Sequence, residues 1–185
     1  FSNVLFVEGH FESEKYFKNF EKDLKAKFII KDKFINKNNK FIELLRNYNS
    51  VSISVRQNRY SERDKIDKAK STEFTKNTIN YINKAVTFFK NKIPNPKFFI
   101  WFNDFTNLNN YFNENEFTFI NNSCNKSLND FNLFKYSKHF IVGPTSFHWW
   151  GAWLNENPNK ICVRPQDDLN PSNNKDFWPE SWIKI

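Results

Sequence analysis

Lys138 to Leu154 reads KHFIVGPTSFHWWGAWL, and the order of residue types in this stretch decides the fold. His139 to Val142 is a short apolar run of strand character, Gly143-Pro144-Thr145 is a turn, and Ser146 to Asn155, with its three tryptophans, is a helix. A strand that enters a helix through small residues leaves backbone N–H groups and the positive end of a helix dipole at the carboxyl edge of a sheet. Phosphate groups bind at such edges, and Thr145 and Ser146 add hydroxyls there. The same pattern also fits an ordinary turn in which Phe147, Trp149, Trp150 and Trp153 serve only as core.

Working outward, apolar and amphipathic runs alternate, which predicts strands and helices taking turns in a three-layer, Rossmann-like α/β domain with a mainly parallel sheet. Strands are expected at Phe28 to Ile30, Ser50 to Arg56, Phe98 to Phe102, Phe117 to Ile120 and, last, Ile161 to Val163; Val4 to Val7 is a short apolar run. Helical spacing marks Glu14 to Lys27, Phe41 to Tyr48 and the long stretch Thr72 to Lys92, which Pro94 and Pro96 stop. Asp130 stands where an N-cap would, ahead of Phe131, Leu133 and Phe134.

With 185 residues, 39% hydrophobic and 19% aromatic, the chain has material for one core, and a single domain over residues 1–185 is expected. No apolar run approaches the roughly 18 residues of a membrane span. Cys124 and Cys162 form no disulfide framework, and His10, His139 and His148 show no metal-ligand spacing, so neither a metal nor another cofactor is expected. The net charge of +8 is compatible with a polyanion partner. Its lysines are dispersed over loops in an Asn-, Lys-, Phe- and Ile-rich composition of the kind AT-rich coding yields. No nucleic-acid-binding motif accompanies them, and no nucleic-acid partner is expected.

Three polar groups fall at expected strand ends: Arg56, Asp104 and Ser146. An arginine at such an edge can pair with phosphate oxygens bidentately, though a surface salt bridge is an equal reading of Arg56.

The block Asp130 to Pro165, DFNLFKYSKHFIVGPTSFHWWGAWLNENPNKICVRP, resembles the C-terminal signature of the bacterial α-1,2-fucosyltransferases of glycosyltransferase family eleven, which typically read DLxLMSxCKHxIxxNSxFSWWGAWL. EGHFESEKYF (Glu8 to Phe17) is similar to the family's GYFQSEKYF, SVSISVRQNRY (Ser50 to Tyr60) to VSVHIRRGDY, and FFIWFNDF (Phe98 to Phe105) to FFIFSDDI. The family's glycine-rich opening, GGLGNQMFQYA, has no counterpart. The resemblance therefore implies the C-terminal, donor-binding half of a two-domain transferase of the GT-B type, without the acceptor half and with an exposed face open to self-association.

That resemblance implies an inverting transfer of fucose from GDP-fucose, without metal, to a galactoside hydroxyl of a surface glycan acceptor. Arg56 takes the place of the arginine that meets the diphosphate, Asp130 that of the guanine-reading carboxylate, and Ser146 and Phe147 that of the β-phosphate contacts, with Thr145 and Lys138 beside them. The family's histidine is replaced by Ser54, and its Arg-Gly-Asp by Gln57, Asn58 and Arg59. Glu62, Asp104 and His148 are the candidates for a general base. The implied setting is O-antigen synthesis in the cytoplasm, with a peripheral position on the membrane face left open. A nucleotide-sugar-binding module without turnover is the alternative.

Overall fold

A computed structural model of the chain describes residues 6–9, 11–31, 40–61, 66–121, 126–169 and 175–185. The elements are α1 (Glu21–Lys27), α2 (Lys40–Asn47), β1 (Asn49–Val55), α3 (Lys68–Lys92), β2 (Pro96–Phe102), β3 (Phe117–Phe119), α4 (Lys126–Phe134), β4 (His139–Ile141), α5 (Ser146–Leu154), β5 (Cys162–Arg164) and β6 (Ile183–Lys184). All six strands are parallel, in the order β3-β2-β1-β4-β5-β6. The mainly parallel sheet of the sequence reading is thus wholly parallel among the described residues.

Strand alternation sorts the core into two clusters, one on each face of the sheet. Val51, Ile53 and Val55 of β1, Phe98 and Ile100 of β2, Ile141 and Val163 pack with α3 through Phe74, Ile82, Ala85 and Phe89. Phe99, Trp101, Phe140, Val142 and Cys162 point the other way, into α2, α4, α5 and the aromatic C-terminal segment Phe177, Trp178 and Trp182. These two layers of helix on one parallel sheet make a Rossmann-like domain. Asp67 caps α3, accepting from the Lys70 N–H at 2.8 Å, and Tyr81 in its middle sends a buried hydroxyl to the carbonyls of Val142 and Val163. Among the described residues no helix is long and apolar enough to cross a membrane.

Two glycines set distances between elements. A Cβ on Gly143 would stand 2.5 Å from the Ser54 carbonyl oxygen, so only glycine lets the end of β4 lie against β1; a Cβ on Gly151 would overlap the Phe134 ring where α5 crosses α4.

Several expectations change. The 14–27 stretch is two 3-10 turns (Glu14–Tyr16 and Lys18–Phe20) followed by α1, because Ser13 caps the first turn and Phe17 leaves the helical path to stack on Trp150, 5.1 Å away. Phe28 to Ile30 forms no strand: Phe28 lies flat against Trp150 and Ile29 faces solvent. Of the Val4–Val7 run, residues 4 and 5 lie outside the described residues, and Phe6 and Val7 are exposed. Asp130 is no N-cap; its helix begins one turn earlier, at Lys126. The expected last strand is followed by β6, whose Ile183 and Lys184 pair with Val163 and Arg164.

Candidate functional site

From β1 the chain winds outward to β2 and β3 on one side, and from β4 to β5 and β6 on the other. The reversal of direction falls between β1 and β4, and a crevice opens where two crossovers leave a parallel sheet in opposite directions. Arg56 follows β1 directly, and Gly143 to Ser146 follow β4. Both therefore stand at the carboxyl edge beside the switch point.

A cleft of about 380 Å³ occupies this place, and Arg56, Asp130, Thr145 and Phe147 all line it, with Trp101 and Asn103 from the end of β2 and Ser127 from α4. Asp130 is buried (6% exposed) and Arg56 is exposed. Ser127 and Asp130 lie one turn apart on the face of α4 that looks into the cleft. Phe147 bridges α5 and α4, its ring 5.5 Å from those of Phe131 and Phe134.

Helix α5 begins on a Thr145 cap whose hydroxyl accepts from the His148 N–H at 3.4 Å. Helix geometry leaves the Ser146 and Phe147 amides without intrahelical acceptors. The cleft thus holds a cation on one wall, a helix N-terminus on another and a buried carboxylate on a third, a set of donors and acceptors suited to an anionic ligand with a polar ring attached.

Two of the donor-binding candidates stand elsewhere. Lys138 precedes β4, and in a parallel sheet that puts it at the amino edge, where it lines a different depression with Arg46, Tyr136 and His139. The expectation that it joins Arg56 and the α5 N-terminus is therefore corrected. Ser146 lines a separate pocket on the far side of α5, with Trp149 and Trp150, so Thr145 and not Ser146 presents its side chain to the cleft.

Two of the three candidate bases have defined surroundings. His148 is fully buried: Gly143 N–H donates to Nδ1 at 3.3 Å, which places the proton on Nε2, 2.9 Å from Ser52 Oγ. Burial pushes its pKa down to about 3. Both ring nitrogens are engaged inside the protein, so the ring ties β1, the β4 turn and α5 together and presents no nitrogen to an acceptor. Asp104 accepts from the Thr106 N–H and from Asn58 Nδ2, both at 2.9 Å, and these bonds, the Thr106 backbone first, hold its carboxyl below the usual range. Glu62 lies outside the described residues.

The motif departures have local roles. Asn58, at the family's glycine, sits at φ 60°, a left-handed conformation that asparagine tolerates. Gln57 and Asn103 clasp the ends of β1 and β2, the Asn103 amide accepting from the Gln57 N–H at 2.8 Å and donating to its carbonyl at 3.1 Å. Arg59 donates to the Pro144 carbonyl at 3.0 Å and lies over the Phe74 ring, bracing the turn before α5. Sequence reasoning assigned none of these braces. The β1–β2 register, which pairs Val55 with Phe102, is the information that brings Gln57 and Asn103 together.

Comparison with known proteins finds relatives of the whole chain. Over 78 residues the chain is 33% identical to the O-antigen biosynthesis glycosyltransferase WbnK of Escherichia coli, covering 42% of this chain and 26% of that protein. Over an alignment of 191 residues it is 27% identical to an alpha-1,2-colitosyltransferase of Escherichia coli, covering 99% of this chain and 63% of that protein. The chain spans less than two thirds of the length of these curated relatives. No solved structure matches it significantly. The family model for glycosyl transferase family 11 matches residues 2–185, and the chain belongs to that family.

Proposed function

We propose that this chain forms the donor-binding unit of a fucosyltransferase-type enzyme that moves fucose from GDP-fucose to a galactoside hydroxyl, with an α-1,2 linkage and inversion at the anomeric carbon. The observation that carries the reading is the convergence of Arg56, Asp130, Thr145 and Phe147 on one cleft at the switch point. In this reading the Asp130 carboxylate accepts from N1–H and the exocyclic amine of guanine. Arg56 and the amides opening α5 take the diphosphate. The leaving diphosphate gains negative charge as the glycosidic bond breaks, and fixed donors stabilise that charge without reorganising.

The reading is metal-free. Among the described residues no three His, Cys, Asp or Glu side chains gather where they could hold an ion, and the positive charge comes from Arg56 and the helix. The base that takes the acceptor proton is assigned to a carboxylate outside the described geometry, Glu62 being the candidate on this chain. The setting proposed is O-antigen assembly on the cytoplasmic side of the membrane.

The relative named for colitose makes the donor sugar a matter for direct test. Calorimetry with GDP, UDP, GDP-fucose and GDP-colitose is the experiment. Binding of GDP with at least tenfold preference over UDP is the expected result, with the preference lost in Asp130→Asn and the binding of both nucleotides weakened in Arg56→Ala; equal affinity of the wild type for GDP and UDP would overturn the guanine assignment.

A further inference from the structure

On the side of α5 away from the nucleotide cleft lies a second, smaller pocket of about 210 Å³. Ser146, Trp149 and Trp150 occupy one helical face at positions i, i+3 and i+4 and form its floor; Phe11, Glu12 and Phe17 close it from the opposite side. The walls are held firmly. Trp149 donates its indole N–H to the Phe177 carbonyl at 2.9 Å, and Phe17 stacks on Trp150 with ring planes 20° apart. Phe11, by contrast, keeps 45% of its surface exposed.

Neither the phosphate contacts nor the guanine contact uses this space. Yet it begins one residue from the cleft: Thr145 lines one cavity and Ser146 the other, and consecutive Cα atoms are about 3.8 Å apart. An occupant of the second pocket therefore lies beside whatever sits on the α5 N-terminus. Aromatic walls with a carboxylate and a hydroxyl suit a ligand that is apolar on its faces and hydroxylated around its rim. A pyranose ring has that distribution, with C–H groups to lie against aromatic rings and hydroxyls to donate to a carboxylate.

We propose that this pocket is a sugar-ring subsite, with Glu12 accepting from a ring hydroxyl and Phe11 as the covering wall. The proposal deepens the donor-site reading and rests on it for the identity of the neighbouring ligand. The ring comes either from the donor or from the acceptor, and the shared chemistry is that of a pyranose.

Gly9→Leu is the filling variant, because among the described residues a Cβ on Gly9 would meet only the Phe11 ring, at an ordinary 3.8 Å. Glu12→Ala removes the acceptor oxygen, and Glu12→Gln keeps one. Two measurements are made on each: calorimetric affinity for GDP and GDP-fucose, and saturation-transfer NMR with methyl α-L-fucoside and methyl β-D-galactoside. Should the donor sugar occupy the pocket, Gly9→Leu and Glu12→Ala lower GDP-fucose affinity about tenfold and leave GDP within twofold, and Glu12→Gln recovers most of the loss. Should the acceptor occupy it, nucleotide affinities hold while the galactoside signal disappears in Gly9→Leu. An unchanged GDP-fucose to GDP ratio together with unchanged glycoside signals in both variants overturns the subsite. Failure of the wild type to bind GDP would instead overturn the donor-site reading, and a glycoside signal abolished by Gly9→Leu would still uphold the subsite.

Discussion

The two faces of β1 are built on different principles. Toward α3 the strand presents Val51, Ile53 and Val55, each at most 1% exposed, against a helix of 25 residues. Toward α5 it presents Ser50, Ser52 and Ser54. A central parallel strand is ordinarily apolar on both faces. Here the serine face takes up hydrogen bonds: Ser50 Oγ donates to the Leu45 carbonyl at 2.7 Å and accepts from the Lys138 N–H at 3.0 Å, and Ser52 meets His148. The valine and isoleucine face supplies cohesion through area. The serine face fixes where α2, β4 and α5 sit, and with them the α5 N-terminus at the cleft.

The largest expected effect tests the serine face by acid. His148 is neutral in the fold with its pKa pushed down to about 3, against about 6.5 in an unfolded chain. A lowered histidine pKa means that the unfolded state binds the extra proton first. The stability it protects is present above pH ~6.5 and is lost as pH falls toward 3, by up to about 5 kcal/mol. Urea unfolding at a series of pH values, compared with His148→Gln, measures this contribution; a folded-state His148 that titrates near pH 6.5 by NMR would break the comparison.

On the other face, Ile53→Ala is expected to cost about 2–5 kcal/mol, read from the urea midpoint, with GDP affinity unchanged in the folded fraction. Gly143→Ala pushes a methyl against the Ser54 carbonyl, which cannot swing aside as a side chain could. The expected loss is about 1–3 kcal/mol, accompanied by weaker GDP binding because β4 and the α5 N-terminus shift together. Equal GDP affinities for Gly143→Ala and Ile53→Ala would dissolve the distinction between cohesion and placement. Arg56→Ala should change stability by no more than about 0.5 kcal/mol, since the side chain is exposed, while weakening GDP binding.

Much of this was legible in the sequence. The alternation SVSISV announced β1, apolar runs before Gly143 and after Pro96 announced β4 and β2, and those strand ends led to Arg56 and Thr145. Helix starts were harder to read. Asp130 looked like a cap because capping residues and mid-helix carboxylates share a composition; its place in the cleft follows from the face of α4 that it shares with Ser127, one turn before. Lys138 was misplaced although the sheet was read as parallel. A residue before a strand and one after it lie on opposite edges, and that rule alone would have separated Lys138 from Arg56. Ser146 follows the same lesson at helical period, since it shares a face with two tryptophans while Phe147 turns toward α4. The burial of His148 had a weaker signal, the serines opposite it, whose meaning depends on a pairing between residues 96 positions apart.

The strand order also has a consequence for biosynthesis. The partners on one flank of β1, β2 and β3, emerge from the ribosome first. The other flank waits for β4, whose junction is sealed by a bond between Ser50 and Lys138, 88 residues apart. At about 5–20 residues per second, the open side of the central strand stays unpaired for several seconds of translation. An exposed backbone edge of this kind is a template for wrong pairing. A waiting strand with serine at every second position offers less apolar surface to a passing chain than an all-valine strand would. The residues that later seat α5 therefore also lower the hazard of the interval before it arrives.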